Sequence, residues 1–197
     1  MTYPKYCCSV PPISAEYTPM GNMETWGDME VYIAGPKSAK HAIVVFYDIF
    51  GFCDNTKQFC DILAKTGDYR VVLPDFFLGN PPKKEILFSL ERPQIMEWIQ
   101  KNASLPIILP LVDQVDKQLK SDGAVSGAFV GFCWGAKMSA QLSATHPFFV
   151  GASLIHPSLV DNADAEAAQI PILAIPSKQE PDMVKIIILG FCSTREK

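Results

Sequence analysis

The chain has 197 residues, of which 48% are hydrophobic and 19% charged, and a net charge of −4. That length suits one folded domain rather than two, and the apolar content excludes a disordered chain. The 17 lysines and arginines are scattered rather than gathered into a stripe, so no phosphate-neutralising surface is expected and nucleic acid is not an expected partner.

Residues 1–28 carry Pro4, Pro11, Pro12, Pro19 and Gly21 without sustained periodicity and read as an irregular arm over the domain. Residues 29–34 alternate and then meet Gly35-Pro36, which predicts a short strand and a turn. The run His41-Ala-Ile-Val-Val-Phe-Tyr suits a buried central strand. Residues 55–65 predict an amphipathic helix with Phe59, Ile62 and Leu63 on one face, stopping before Gly67. Residues 69–73 predict another strand, closed by Pro74-Asp75. Between 95 and 120 the spacing is helical, and Pro106 and Pro110 make it either two helices or one kinked helix. Residues 124–130 read as a strand leading into Gly131-Phe-Cys-Trp-Gly-Ala, with a helix over 137–144 and two further short strands over 151–156 and 171–175. Such alternation describes an α/β domain with a mainly parallel sheet flanked by helices and right-handed crossovers.

The opening residues lack the apolar core of a secretory signal, and runs such as 42–46 and 186–189 are far short of the roughly 20 residues that cross a bilayer. A cytoplasmic chain without a membrane span is the expectation. The six cysteines (7, 8, 53, 60, 133 and 192) have no C-x-x-C spacing and only three histidines accompany them. Free thiols in a reducing compartment and no metal site are therefore expected.

The sharpest feature is Gly131-Phe132-Cys133-Trp134-Gly135, a G-x-C-x-G set between an apparent strand and an apparent helix. In a nucleophile elbow, side chains at the two glycine positions would strike neighbouring backbone, and the middle residue is left exposed to substrate. The helix N-terminus would favour a thiolate at Cys133, and the Trp134 N–H could hold a developing oxyanion. The plainer reading makes Cys133 a small apolar residue in a tight turn. No glycine-rich nucleotide loop is present, and no organic cofactor is expected.

Val45-Phe-Tyr-Asp-Ile-Phe-Gly-Phe, Val71-Val-Leu-Pro-Asp-Phe-Phe-Leu-Gly and Gly131-Phe-Cys-Trp-Gly, in that order, resemble the dienelactone hydrolases, most closely a fungal type whose arm also begins with paired cysteines, here Cys7 and Cys8. The resemblance covers residues 7–184. It implies an α/β-hydrolase fold, a Cys-His-Asp type of triad, no metal or organic cofactor, and a small lactone or ester substrate. It makes Cys133 the nucleophile and Asp48 an acidic residue touching the resting thiol, though many members have the longer Glu there. Ile49 becomes the second oxyanion donor through its backbone N–H, opposite Trp134. Asp48 alone could equally be a turn residue after a strand, and Asp75 reads as a turn or capping residue outside the site. The triad acid is expected after the last strand, where Glu180 matches and Asp182 is the alternative.

The resemblance also implies a histidine base well beyond the acid, usually before Gly-Phe, and the chain ends at Lys197 before such a residue appears. Residues 184–197 no longer resemble the family, and the expected organisation is an arm over 1–28, a hydrolase-like domain over 29–184 with its C-terminal part incomplete, and a non-family tail over 185–197. Of the three histidines, His156, at a strand end, is the least poor substitute; His41 begins a strand and His146 closes a helix. Three readings stay open. They are a cysteine hydrolase of lactones or small carboxylic esters, a truncated member that binds without turnover, and a thiol redox sensor.

Overall fold

The computed structural model describes residues 16–87 and 92–177. Within them the chain runs β1 (Asn22–Trp26), β2 (Met29–Ala34), β3 (His41–Phe46), α1 (Asp54–Lys65), β4 (Tyr69–Pro74), α2 (Lys84–Leu87), α3 (Arg92–Asn102), α4 (Leu105–Ser121), β5 (Ser126–Phe132), α5 (Trp134–Leu142), β6 (Phe149–Ile155), α6 (Asn162–Ala167) and β7 (Ile172–Ile175). The strands form one sheet in the order β1-β2-β4-β3-β5-β6-β7. The four pairings from β4 through β3, β5 and β6 to β7 are parallel, and those of β1 with β2 and β2 with β4 are antiparallel. This mixed sheet with helices on its faces is the α/β-hydrolase fold.

The apolar run of β3 occupies the middle of the sheet, and Val44, Val45 and Phe46 are fully buried. Continuous apolar sequence is what a strand covered on both faces requires. Its neighbour β5 alternates between buried and half-buried positions. Phe129 stacks on Phe149 of β6 with centroids 3.8 Å apart, while Phe132, facing the other side, meets Phe59 of α1 edge-on.

Two expectations need correction. Residues 22–26 are not irregular: they form β1, a hairpin with β2 through Gly27-Asp28, in which Gly27 takes φ +61°. Four of its five residues are exposed, so the strand carries no apolar alternation to betray it. The inward side of α1 is set by Cys60 and Asp61, and Ile62 is 56% exposed. Burying a carboxylate there is stabilised by three donors, the hydroxyls of Tyr17 and Tyr32 and the Met20 N–H, which together fasten residues 17–20 to the helix. Of the two alternatives expected for the helical stretch, the structure has two helices, parted at Ala103-Ser104, with Pro106 in the first turn of α4 and Pro110 accommodated inside it.

Candidate active site

Three strands end side by side at one edge of the sheet. Phe46 of β3 is in register with Gly131 of β5, and Phe132 with Ile155 of β6. The residues that follow them, Asp48-Ile49, Cys133 and His156, are thereby brought to the carboxyl edge, where open parallel sheets bind ligands.

Cys133 is the N-cap of α5 and has φ +51° and ψ −107°, a conformation that L-residues rarely adopt. Three hydrogen bonds hold the backbone there. Its N–H donates to the Ile155 carbonyl at 3.1 Å, and its own carbonyl accepts from Ala136 at 3.2 Å and from Ser158 at 3.3 Å. A Cβ on Gly131 would lie 2.2 Å from the Gly135 carbonyl oxygen, and one on Gly135 would lie 2.5 Å from that of Phe46. The turn therefore closes only with bare backbone on both sides of the cysteine.

An exposed middle residue was expected, whereas Cys133 is 3% exposed. The loop after β6 lies against it, with Ser158 itself 1% exposed and bonded to the Cys133 carbonyl. A thiol at the N-cap of a nine-residue helix sits where the peptide dipoles place positive charge, which favours its anion.

Trp134 follows at the first helical position, whose N–H has no partner within the helix. Its buried indole donates to the Ala103 carbonyl at 2.9 Å, and its ring packs on Tyr47 and Phe77. Behind it, Tyr47 donates its hydroxyl proton to Asp75, and Asp75 also accepts from the Phe77 and Gly79 N–H groups. Asp75 thus caps the turn after β4. Burial, with the charge of Asp75 adding to it, pushes the Tyr47 phenol well above its usual range and keeps it neutral.

Asp48 opens a turn. Its carbonyl accepts from Gly51 at 3.1 Å, its Oδ1 accepts from the Phe50 N–H at 2.9 Å, and Gly51 takes φ +85°. Ile49, the second residue of that turn, is fully buried. The turn chemistry expected of Asp48 is therefore present at the same edge as Cys133.

The three histidines are divided between the two edges of the sheet. His41 Nδ1 is 2.9 Å from Ser126 Oγ where β3 and β5 begin, and His146 pairs with Asp113 and Thr145 just before β6. His156 alone stands at the carboxyl edge, with φ +50°, its N–H on the Ile175 carbonyl and its Nδ1 3.3 Å from Ser177 Oγ. Glu180 and Asp182 lie outside the described residues.

Sequence reasoning missed Lys137, Asp161 and Asp164. Asp161 caps α6 in a reciprocal capping box with Asp164, and Lys137 of α5 pairs with both. The Asp-x-x-Asp spacing was a usable capping signal, but a lysine 24 residues earlier gave none. Among the described residues, Cys53, Cys60 and Cys133 are free thiols, no cluster of three or more metal-ligating side chains occurs, and no helix is long and apolar enough to cross a membrane. Burial pushes the Cys60 thiol far up, so it is a poor nucleophile.

A sequence profile of the dienelactone hydrolase family matches residues 29–184. An uncharacterized AIM2 family protein of Schizosaccharomyces pombe is 34% identical over 165 residues, covering 80% of this chain and 65% of that protein. Hydrolase pyvD of Aspergillus violaceofuscus is 30% identical over 182 residues, covering 90% of this chain and 71% of its own. Among solved structures, a dienelactone hydrolase-like promiscuous phosphotriesterase from metagenomic libraries superposes with a TM-score of 0.66 at 20% identity, covering 88% of this chain and 77% of the other. The chain thus spans roughly two thirds of the length of such relatives.

Proposed function

Because the chain belongs to the dienelactone hydrolase family, we propose that it hydrolyses lactones or small carboxylic esters with Cys133 as the nucleophile. The observation that carries this reading is the backbone of Cys133, held at φ +51° at the head of α5 between two glycines that admit no side chain. Strain of that kind persists only where the surroundings enforce it, and it gathers at reactive sites.

In the proposed reaction the Cys133 thiolate attacks the acyl carbon, and the carbonyl oxygen becomes an oxyanion held by the Ile49 and Trp134 N–H groups. Each such donor is worth roughly 3 kcal/mol of barrier. The C–O bond then breaks, the alcohol leaves with a proton, and water cleaves the thioester to return the thiol. Asp48 is assigned to the resting thiol, and Glu180, or Asp182 in its place, is assigned the triad acid. A small-molecule substrate is the only partner this chemistry requires.

A second reading, acylation without turnover, is favoured by the placement of His41 and His146 at the far edge of the sheet. In that reading His156, whose N–H is held by the Ile175 carbonyl, does not serve as base, and general-base help is typically worth about 10²–10⁴-fold. Hydrolysis of p-nitrophenyl acetate and dihydrocoumarin by the wild type and Cys133→Ala tests both. Many turnovers that vanish in the variant support the hydrolase. One equivalent of acyl group on Cys133 followed by arrest supports the binder, and an equal rate in the variant removes Cys133 from the chemistry.

A further inference from the structure

Lys137 lies one helical turn beyond Cys133, and its ammonium is 2.6 Å from Asp164 Oδ2 and 3.3 Å from Asp161 Oδ2. The three side chains are 15%, 6% and 29% exposed, so the pairs are less screened by solvent than surface ones. The capping box between Asp161 and Asp164 is complete without the lysine, since each carboxylate already accepts the other residue's N–H, at 3.2 and 2.9 Å. A second carboxylate so close to the first costs energy unless a cation joins them. At six residues α6 is also too short to stand on its own propensity.

The segment from His156 to Asp161 is fixed at both ends and packed in between, where Val160 is buried against Ala136, Ala140 and Leu154. One end is the His156 N–H on the Ile175 carbonyl of β7, and the other is Lys137. Between them Ser158 donates to the Cys133 carbonyl, and both His156 and Leu159 carry positive φ, at +50° and +63°. Residues in such conformations relax elsewhere when their anchors are cut.

We propose that Lys137 is a positioning residue whose paired contacts with Asp161 and Asp164 hold the segment from His156 to Asp161 closed against Cys133, setting how readily that thiol meets an electrophile. The proposal rests on the reading of Cys133 as the reacting thiol, and it is tested by thiol reactivity rather than by hydrolysis. Its observable is the rate at which iodoacetamide labels Cys133, divided by the rate for the half-buried Cys53 in the same chain, followed by peptide mass spectrometry. Wild type, Lys137→Arg, Lys137→Met and Asp164→Asn are compared in the full chain.

The expected result is that Lys137→Met and Asp164→Asn each raise the ratio at least about fivefold through local opening, while Lys137→Arg, which keeps the cation, stays within about twofold. If the lysine acted by its charge on the thiolate, the first two variants would move the ratio in opposite directions, and the proposal would fall. It would also fall if melting temperature dropped while the ratio stood still, because the cluster would then be a structural staple only. Should Lys137→Met not fold, Lys137→Gln takes its place in the same comparison with Asp164→Asn. Absence of ester turnover in the wild type would sink the hydrolase reading and leave this comparison intact.

Discussion

Cys133 and His156 stand at the carboxyl ends of adjacent parallel strands, both with positive φ, +51° and +50°. Each is a residue with a Cβ in a region where a Cβ costs about 1–2 kcal/mol, and the Cys133 N–H joins the two strand ends by bonding to Ile155. The strain is thus stored in pairs at the edge where the candidate chemistry lies.

Glycine and alanine at position 133 should therefore part company. Both remove the thiol and should abolish acyl transfer, but Cys133→Gly sheds the strain that Cys133→Ala keeps. We expect the glycine variant to be the more stable of the two by about 1–2 kcal/mol in urea titrations. Equal stabilities would mean that the backbone is at ease without glycine.

The flanking glycines make the opposite case. With a Cβ at 2.2 Å from the Gly135 carbonyl, or 2.5 Å from that of Phe46, the neighbour that must yield is backbone. Gly131→Ala and Gly135→Ala should each cost about 1–3 kcal/mol, measurable as a fall in the urea midpoint. For Gly135 this outweighs the better helix propensity of alanine, worth about 1 kcal/mol.

How much of this could be read beforehand depended on whether the signal was local. The β3 run and the Gly-x-Cys-x-Gly elbow are continuous in sequence and report burial and tight packing directly, so the central strand, the turn and the helix after it were legible. The β5 and β6 boundaries were displaced by about two residues, because strand ends depend on neighbours in the sheet. What stayed hidden is held by partners far away in the chain: Asp61 is buried because Tyr32 and Tyr17 reach it, and the half-buried Lys137 is paired because α6 supplies two carboxylates. Exposed β1 lacked apolar alternation, though the Gly27-Asp28 pair was a hairpin signal of the kind that two-residue turns leave.

Arg70 is 1% exposed, with its guanidinium 2.6 Å from Asp122 Oδ2 and stacked over Trp26. The two groups are close enough to pair yet not aligned for a hydrogen bond, so the attraction is chiefly that of charge. Asp122→Asn strands a buried cation and should cost about 3–5 kcal/mol at neutral pH by urea titration.

The same pair gives a pH signature. Burial alone would raise the Asp122 carboxyl, but the Gln118 hydrogen bond and the charges of Arg70 and Lys37 outweigh it and hold the group below its ordinary 3.8. A depressed value means stability that is present above 3.8 and is lost as pH falls through the folded-state value. Between pH 4 and 2 the wild type should therefore lose stability more steeply than Asp122→Asn, and parallel curves would show that this carboxylate is not responsible.

Ser139 offers a gain. Its hydroxyl is fully buried beneath the elbow and finds no hydrogen-bond partner among the described residues, which leaves a desolvated polar group unrewarded. Ser139→Ala should be neutral or up to about 1 kcal/mol more stable. A loss greater than that in thermal melts would reveal a partner for the hydroxyl.

The sheet order also governs when the elbow can exist during synthesis. His41 pairs with Ser126, a separation of 85 residues, so β3 has β4 on one flank and an open apolar flank on the other until β5 has left the ribosome. Such an unpaired central edge is sticky. Cys133 arrives immediately behind the strand that covers this flank, so the elbow is formed by the same event that closes the exposed edge of β3.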